Sequence, residues 1–341
     1  MIKTNLLILA YHYLKSFVRN SPGHKTVLSI TTSLKRGFLV FLKLLIIIFI
    51  VLSLFPETGN SKSLLLIAPH PDDGMISSAG LIQKKIRRGW EVFIVYLTNG
   101  ENFPKAASLS LKKSPTKLEK ADFLKFSRVR MSEARKATEF LGIPAKNLTF
   151  LAFPTEYIRD LFSKFRRKRL LPLKTGILHG EQQWGITKKY VKFQGKLLLK
   201  NLIEILLHIR PAILISPHPE DTHPDHKFTA RFVGEALFWL LKNERPPLHL
   251  GYFVHFRSRR YYPRPFGFLP ELQTPFPPVK KDYNWLRVPI SYQQKSRKEY
   301  AIRFFKSQIK LNDNFLLSFV RRDELFAILR KNKPFQYVKG L

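Results

Sequence analysis

The sequence predicts an α/β fold, a doubly wound and mainly parallel sheet, preceded by an N-terminal transmembrane helix. Three observations carry that expectation. From Leu64 onward, short apolar runs alternate with stretches of helical periodicity, the rhythm of parallel strands whose crossover helices cover both faces. Two of those runs end in nearly the same cluster of prolines, histidines and acids, at Pro69 to Asp73 and at Pro217 to His226. Upstream, Phe38 to Phe55 is eighteen residues long and holds a single charge, Lys43.

The elements follow in order. The N-terminal apolar run has the lower range of length for a membrane span, and Lys43 can reach the nearer interface along its aliphatic stem. A buried core helix is the competing reading, but such a helix is normally shorter and not flanked by basic polar sequence. Lys3, Lys15, Arg19, Lys25, Lys35 and Arg36 precede the run with no acid among them, so the positive-inside rule keeps the N-terminus cytoplasmic and sends the remainder outward. The 37 residues before it are too many for an ordinary cleaved leader, and an uncleaved signal anchor is expected at 38–55. Strands are expected at Leu64 to Ala68, Glu91 to Thr98, Leu148 to Phe153, Ala212 to Ser216 and Leu250 to Phe256. Helices are expected at Ser77 to Arg88, Arg128 to Leu141, Leu197 to Ile209 and Asp225 to Leu241, the second ended by Gly142 and Pro144. Two insertions, Asn102 to Lys125 and Arg159 to Val191, read as long loops, the second carrying the basic run Lys164 to Arg169. Beyond Arg257 an irregular stretch rich in Pro and aromatics precedes helices at Gln293 to Gln308 and Asn314 to Leu329.

Composition limits what such a chain can be. The 341 residues are 45% apolar and 13% aromatic, enough for a large core and incompatible with wholesale disorder. With 59 Lys+Arg against 24 Asp+Glu the net charge is +35, so an anionic partner is expected; beside an anchor that partner is an anionic membrane surface or an envelope polymer, and nucleic acid is not expected. There is no cysteine, which excludes disulfides and thiolate metal sites and leaves any metal to His, Asp or Glu.

The repeated cluster carries the chemistry. In an open parallel sheet, ligands bind outside the carboxyl ends of the strands at the switch point, where neighbouring crossovers leave to opposite faces. If the strands at Leu64 and Ala212 are neighbours, both clusters meet in one crevice. His70 and Asp73 lie three apart on a strand-to-helix turn, and His226 adds a second nitrogen; three protein ligands and an open fourth position are the pattern of a catalytic zinc. Asp72 is then free to act as general base, and His223 beside Asp225 suits an imidazolium that steadies an oxyanion or protonates a leaving amine. Asp-Asp alone would be a helix cap and His-Pro-Asp-His alone a surface turn; their joint occurrence after two apolar strands favours a site. His218, Glu220 and Asp221 are surplus ligands, which keeps a two-metal phosphoesterase as an alternative, and the charge keeps a non-catalytic anionic-polymer-binding protein as another. His179, His208 and His255 are read as structural or surface residues, and Arg130 with Glu133 as a surface pair at i,i+3.

"PHPDD" at Pro69 to Asp73, "TNGE" at Thr98 to Glu101, "RMSEARKATEFLGI" at Arg130 to Ile143 and "PHPEDTHPDH" at Pro217 to His226 resemble the PIG-L/LmbE family of zinc-dependent N-acetylglucosamine deacetylases. The resemblance implies a Rossmann-like catalytic domain over 64–256, Zn2+ on His70, Asp73 and His226, Asp72 as base and His223 as the electrophilic or acid residue. It also implies hydrolysis of an N-acetyl group from an amino sugar, lipid-linked or envelope-bound in view of the anchor. Residues 1–37 then form a basic segment, and 257–341 an extension packing on the catalytic domain. Gly74 and Met75 stand where family members commonly carry a glutamate.

Overall fold

The computed structural model describes residues 62–172, 174–184, 187–240, 246–256, 262–263, 270–272 and 283–329. Nine strands of the described residues form one sheet: β1 (Ser63–Ala68), β2 (Glu91–Thr98), β3 (Leu148–Phe153), β4 (His179–Trp184), β5 (Thr187–Lys192), β6 (Ile213–Pro217), β7 (Leu248–Tyr252), β8 (Asn284–Pro289) and β9 (Asp323–Ile328). Their spatial order is β5-β4-β3-β2-β1-β6-β7-β9-β8. The five central strands, β3 to β7 in that order, pair in parallel, and both edges are closed by antiparallel strands. The expected mixed α/β architecture around a mainly parallel sheet is what the chain forms.

Its helices are α1 (Asp73–Arg87), α2 (Pro104–Leu111), α3 (Lys120–Phe140), α4 (Ile158–Phe162), α5 (Gly195–Ile209), α6 (Pro224–Leu240), α7 (Tyr292–Ile302) and α8 (Lys306–Leu317). The central strand β1 is buried along its whole length. Because side chains alternate across a sheet, Leu64 and Leu66 join one core with Ile76 and Ala79 of α1 and Ala134 and Ala137 of α3, while Leu65 and Ile67 join the other with Leu198 and Leu202 of α5 and Phe232 and Val233 of α6. Each such leucine contributes roughly 1.5–3 kcal/mol on burial. β1 pairs with β2 on one flank, Leu64 opposite Val92, and with β6 on the other, Leu64 opposite Ile213. The crossovers leave β1 and β6 to opposite faces, so the switch point opens between the turns that follow these two strands.

Several expectations change. The anchor at 38–55 and the basic segment 1–37 lie outside the described residues. The single-pass membrane placement, cytoplasmic N-terminus and outer catalytic domain, is corrected: among the described residues no helix is long and apolar enough to cross a membrane. The longest of these, α3, has 21 residues with charged side chains throughout, and a span needs about 20 predominantly apolar ones. The two insertions are not plain loops: α2 and the first turn of α3 occupy one, and α4 with the β4–β5 hairpin the other. The helix expected at Asn314 to Leu329 stops at Leu317 and is followed by β9, since a short apolar run does not reveal whether it will be helix or strand.

Candidate active site

The turn after β1 bends through Pro69 and Pro71 and starts α1 at Asp73, four residues earlier than the periodicity suggests. The Asp73 carboxylate accepts the His70 backbone N–H at 2.8 Å and lies 3.2 Å from His70 Nδ1, so backbone and ring of one residue are fixed by the other. From the turn after β6, His226 at the start of α6 brings Nε2 to 3.3 Å from the second Asp73 oxygen. Donor atoms of His70, Asp73 and His226 therefore all lie within 4.8 Å of one another, and all three residues are buried.

The set fits a divalent cation. His226 is wholly buried, and its ring nitrogens face Asp73 and Asp221 at 3.3 and 3.4 Å without the alignment of a hydrogen bond, an arrangement open to a cation. Burial alone would push the His70 and His226 imidazoles down, but Asp73 and its neighbouring carboxylates outweigh it, holding His70 up at about 9 and His226 well above its ordinary value. Burial would likewise raise the Asp73 carboxyl, yet His226 and His70 hold it well below the usual carboxylate range. Carboxylates that favour a proton on these rings favour a metal cation in its place, because the two compete for the same lone pairs.

Asp72 points beside this cluster, and its Oδ1 accepts a hydrogen bond from Arg130 Nη2 at 2.8 Å. The His223 ring stands 5.0 Å from that of His70 and 5.1 Å from that of His226. Asp225 does not pair with the His223 ring as its position in sequence suggests. Its carboxylate accepts the backbone N–H groups of Glu156 and Ile158 and lies 3.3 Å from His70 Nε2, so it anchors the segment before α4 and orients a candidate ligand. What reaches His223 is the Asp225 backbone N–H, donated to Nδ1 at 3.2 Å, which leaves the ring proton on Nε2. Burial, with the charges of His70 and His226, lowers His223 to about 3, a direction that favours the neutral ring over the expected imidazolium.

Sequence reasoning misjudged Arg130, Asp221 and His255. Arg130 is buried, not on the surface: besides Asp72 it bonds the Gly100 carbonyl oxygen at 3.1 Å. Gly100 has φ +67°, a conformation that favours glycine, and a Cβ there would fall 1.9 Å from Arg130 Nη1, so a larger residue would displace the guanidinium. Its place in "TNGE" was the available signal. Thr98 Oγ1 in the same motif bonds the Pro69 carbonyl, and Glu101 accepts both Thr155 N–H and Thr155 Oγ1. Asp221, read as a surplus ligand, is wholly buried, accepts the N–H groups of His223, Val254 and His255, and lies 3.4 Å from His226 Nδ1. It therefore backs the ligand it does not join. His255, read as isolated, has its ring 5.0 Å from those of His223 and His226.

Gly74 and Met75 also find a physical account. A Cβ at Gly74 would come 3.1 Å from Leu66 Cδ2 in β1, and Met75 is fully buried in the core shared by Leu64 and Leu66. The α1 N-terminus is seated so closely on β1 that core packing occupies the place of a charged side chain.

Residues 65–237 match the family model PIG-L, GlcNAc-PI de-N-acetylase. Over 204 residues, 58% of this chain and 68% of its relative, the sequence is 26% identical to the probable N-acetyl-alpha-D-glucosaminyl L-malate deacetylase 2 of Bacillus anthracis. Among solved structures, the zinc-inhibited form of teicoplanin deacetylase Orf2 matches with a TM-score of 0.50 at 16% identity, covering 80% of this chain and 100% of that one. The A40926 pseudoaglycone deacetylase Dbv21 matches with the same score at 14% identity, covering 79% and 97%. These two similarities speak to the fold. The family match takes in both acid–imidazole turns, the "TNGE" segment and Arg130, over half of the chain; the chain accordingly belongs to the PIG-L family and is a deacetylase, a hydrolase of an amide.

Proposed function

We propose that this chain hydrolyses the N-acetyl group of an amino sugar of the N-acetylglucosamine type, with a zinc ion held by His70, Asp73 and His226. The observation that carries the reading is the convergence of those three donors from the ends of adjacent strands, with the buried His226 nitrogens lacking any aligned protein partner. The name of the Bacillus anthracis relative, a deacetylase of a glucosaminyl malate, supports the sugar.

Held there, zinc would supply a water that ionises near neutral pH and an electrophile for the acetyl carbonyl. The chain's own residues supply the rest. Asp72, tethered through Oδ1 to Arg130, keeps Oδ2 free among the described residues to take a proton from the attacking water. His223 presents Nε2–H to the acetyl oxygen as negative charge develops on it, and being neutral it needs no proton from solvent to do so. The proton on Asp72 is then available to the leaving amine, and acetate and a free amino sugar result. Asp225 and Asp221 hold His70 and His226 in place from behind.

A two-metal phosphoesterase is less well served. The second cluster of possible ligands, His70, His223 and Asp225, shares His70 with the first, and Asp225 is committed to two backbone amides. Metal analysis combined with acetate release from N-acetylated amino sugars tests the proposal. About one zinc per chain, with release abolished by chelation and by His226→Ala, is expected. Release that survives complete metal removal would refute it, and two metals per chain would favour the phosphoesterase.

A further inference from the structure

The family match ends at residue 237, yet α7 and α8 beyond it build one wall of a cleft of about 750 Å3 whose other wall is α3. Lys125, Arg128 and Lys136 present their cations from α3, and Lys306 presents one from the first turn of α8. All four side chains are exposed, and none forms an ion pair within 4 Å among the described residues; Asp122, which Lys125 influences from one turn away, is paired with Lys113. The acid in the wall, Glu133, is buried, and both its oxygens are taken by Ser307, N–H at 2.8 Å and Oγ at 2.6 Å, which pins α8 to α3. At one end of the stripe, Tyr300 and Phe304 stand 5.0 and 5.8 Å from Phe140, giving an aromatic surface on which Tyr300 is exposed.

We infer that this cleft binds the anionic part of the substrate, a phosphate-bearing glycan chain, while its N-acetylated sugar enters the crevice between β1 and β6. The inference rests on the deacetylase reading of that crevice. Lys125 to Lys136 span about 16 Å of helix at 1.5 Å per residue, so the stripe follows a chain of charges and not a single anion. Arg128 also lines a small pocket of about 50 Å3 with Asn99 and Glu101 at the carboxyl end of β2, so one cation of the stripe faces both the cleft and the strand ends. Unpaired cations in a walled cleft concentrate a polyanion, and phosphate suits both the arginine fork and the lysine point charge. Single-stranded nucleic acid would call for aromatics interleaved with the charges, for successive bases to stack on. Here they are gathered at the Phe140 end, where one sugar ring can rest.

The test uses the metal-loaded full chain and a Lys136→Glu/Lys306→Glu variant. The probes are poly(glycerol phosphate) carrying N-acetylglucosamine, a neutral N-acetylated chitooligosaccharide, and single-stranded DNA. The phosphate polymer is expected to bind at least about tenfold more tightly than the neutral one, to weaken as salt rises from about 50 to about 200 mM, and to lose its advantage in the variant. The ratio of acetate release from the two glycans should fall with it. Equal binding of both glycans, a variant that keeps the preference, or tighter binding of DNA than of the phosphate polymer would overturn the inference. Acetate release from neither glycan, with the binding preference intact, would instead count against the deacetylase reading and leave the cleft standing.

Discussion

A buried arginine decides how Asp72 can act. Arg130 is 4% exposed and ties Asp72 Oδ1 to the Gly100 carbonyl, so it sets the direction of the candidate base and joins the turn after β1 to the turn after β2. Arg130→Met removes the fork without much loss of volume, leaving two buried acceptors unpaired. Acetate release should drop about 100-fold through misplacement of the base, with zinc content unchanged. Arg130→Lys should recover little, because a point charge does not hold two acceptors as a fork does. Activity within twofold of the parent in Arg130→Met, with zinc retained, would show that Asp72 needs no such tether. At this scale the sequence was informative about residue types and silent about partners. His70, Asp73 and His226 could be singled out because their chemistry is concentrated in two short turns. Arg130 could not, since its partner Asp72 lies 58 residues away and its neighbour Glu133 offered a plausible local pair.

The strands and helices that hold the crevice were legible where apolar periodicity was strong, as at β1, β2, β3 and α5. They were misread where polar residues serve buried pairs, and β9 shows why. Its Glu324 is 1% exposed and accepts the N–H groups of Gly80 and Leu81 in α1, at 2.7 and 2.8 Å, together with Lys298 Nζ of α7 at 2.8 Å. The strand thus carries an acid at a core position because α1 and α7 supply its donors, and no local pattern in the sequence announces that. Lys298 is itself 1% exposed, so Lys298→Met strands a buried carboxylate and should cost about 3–5 kcal/mol. Adding Glu324→Gln to that variant should recover part of the loss, because the charge without a partner is then gone. Denaturant midpoints of parent, single and double variants measure this; a single variant within about 1 kcal/mol of the parent would mean that the two helix amides alone satisfy Glu324.

For the whole molecule, the same economy of buried polar groups makes stability depend on pH. His218 and His249, neither of them among the three candidate ligands, lie in the core at β6 and β7, and burial lowers them to about 3 and about 4. Both are neutral in the folded chain: His218 accepts the Glu220 N–H on Nδ1, and His249 Nε2 lies 2.8 Å from Ser216 Oγ. In the unfolded chain they titrate near 6.5, so below that pH the unfolded state binds more protons and gains on the folded one. Folding stability should therefore be undiminished by these groups above about pH 6.5 and fall as pH drops towards 4, by up to about 1.4 kcal/mol per pH unit for each histidine. His249→Gln keeps a polar partner for Ser216 but cannot take up the proton. Its melting temperature, whatever its value at neutral pH, should fall less steeply than that of the parent between about pH 6.5 and about pH 4.5. A parallel decline in the two proteins would show that His249 is already free to ionise in the folded state. The comparison is best made with metal removed from both, so that proton competition at His70 and His226 is common to them and cancels in the difference of slopes.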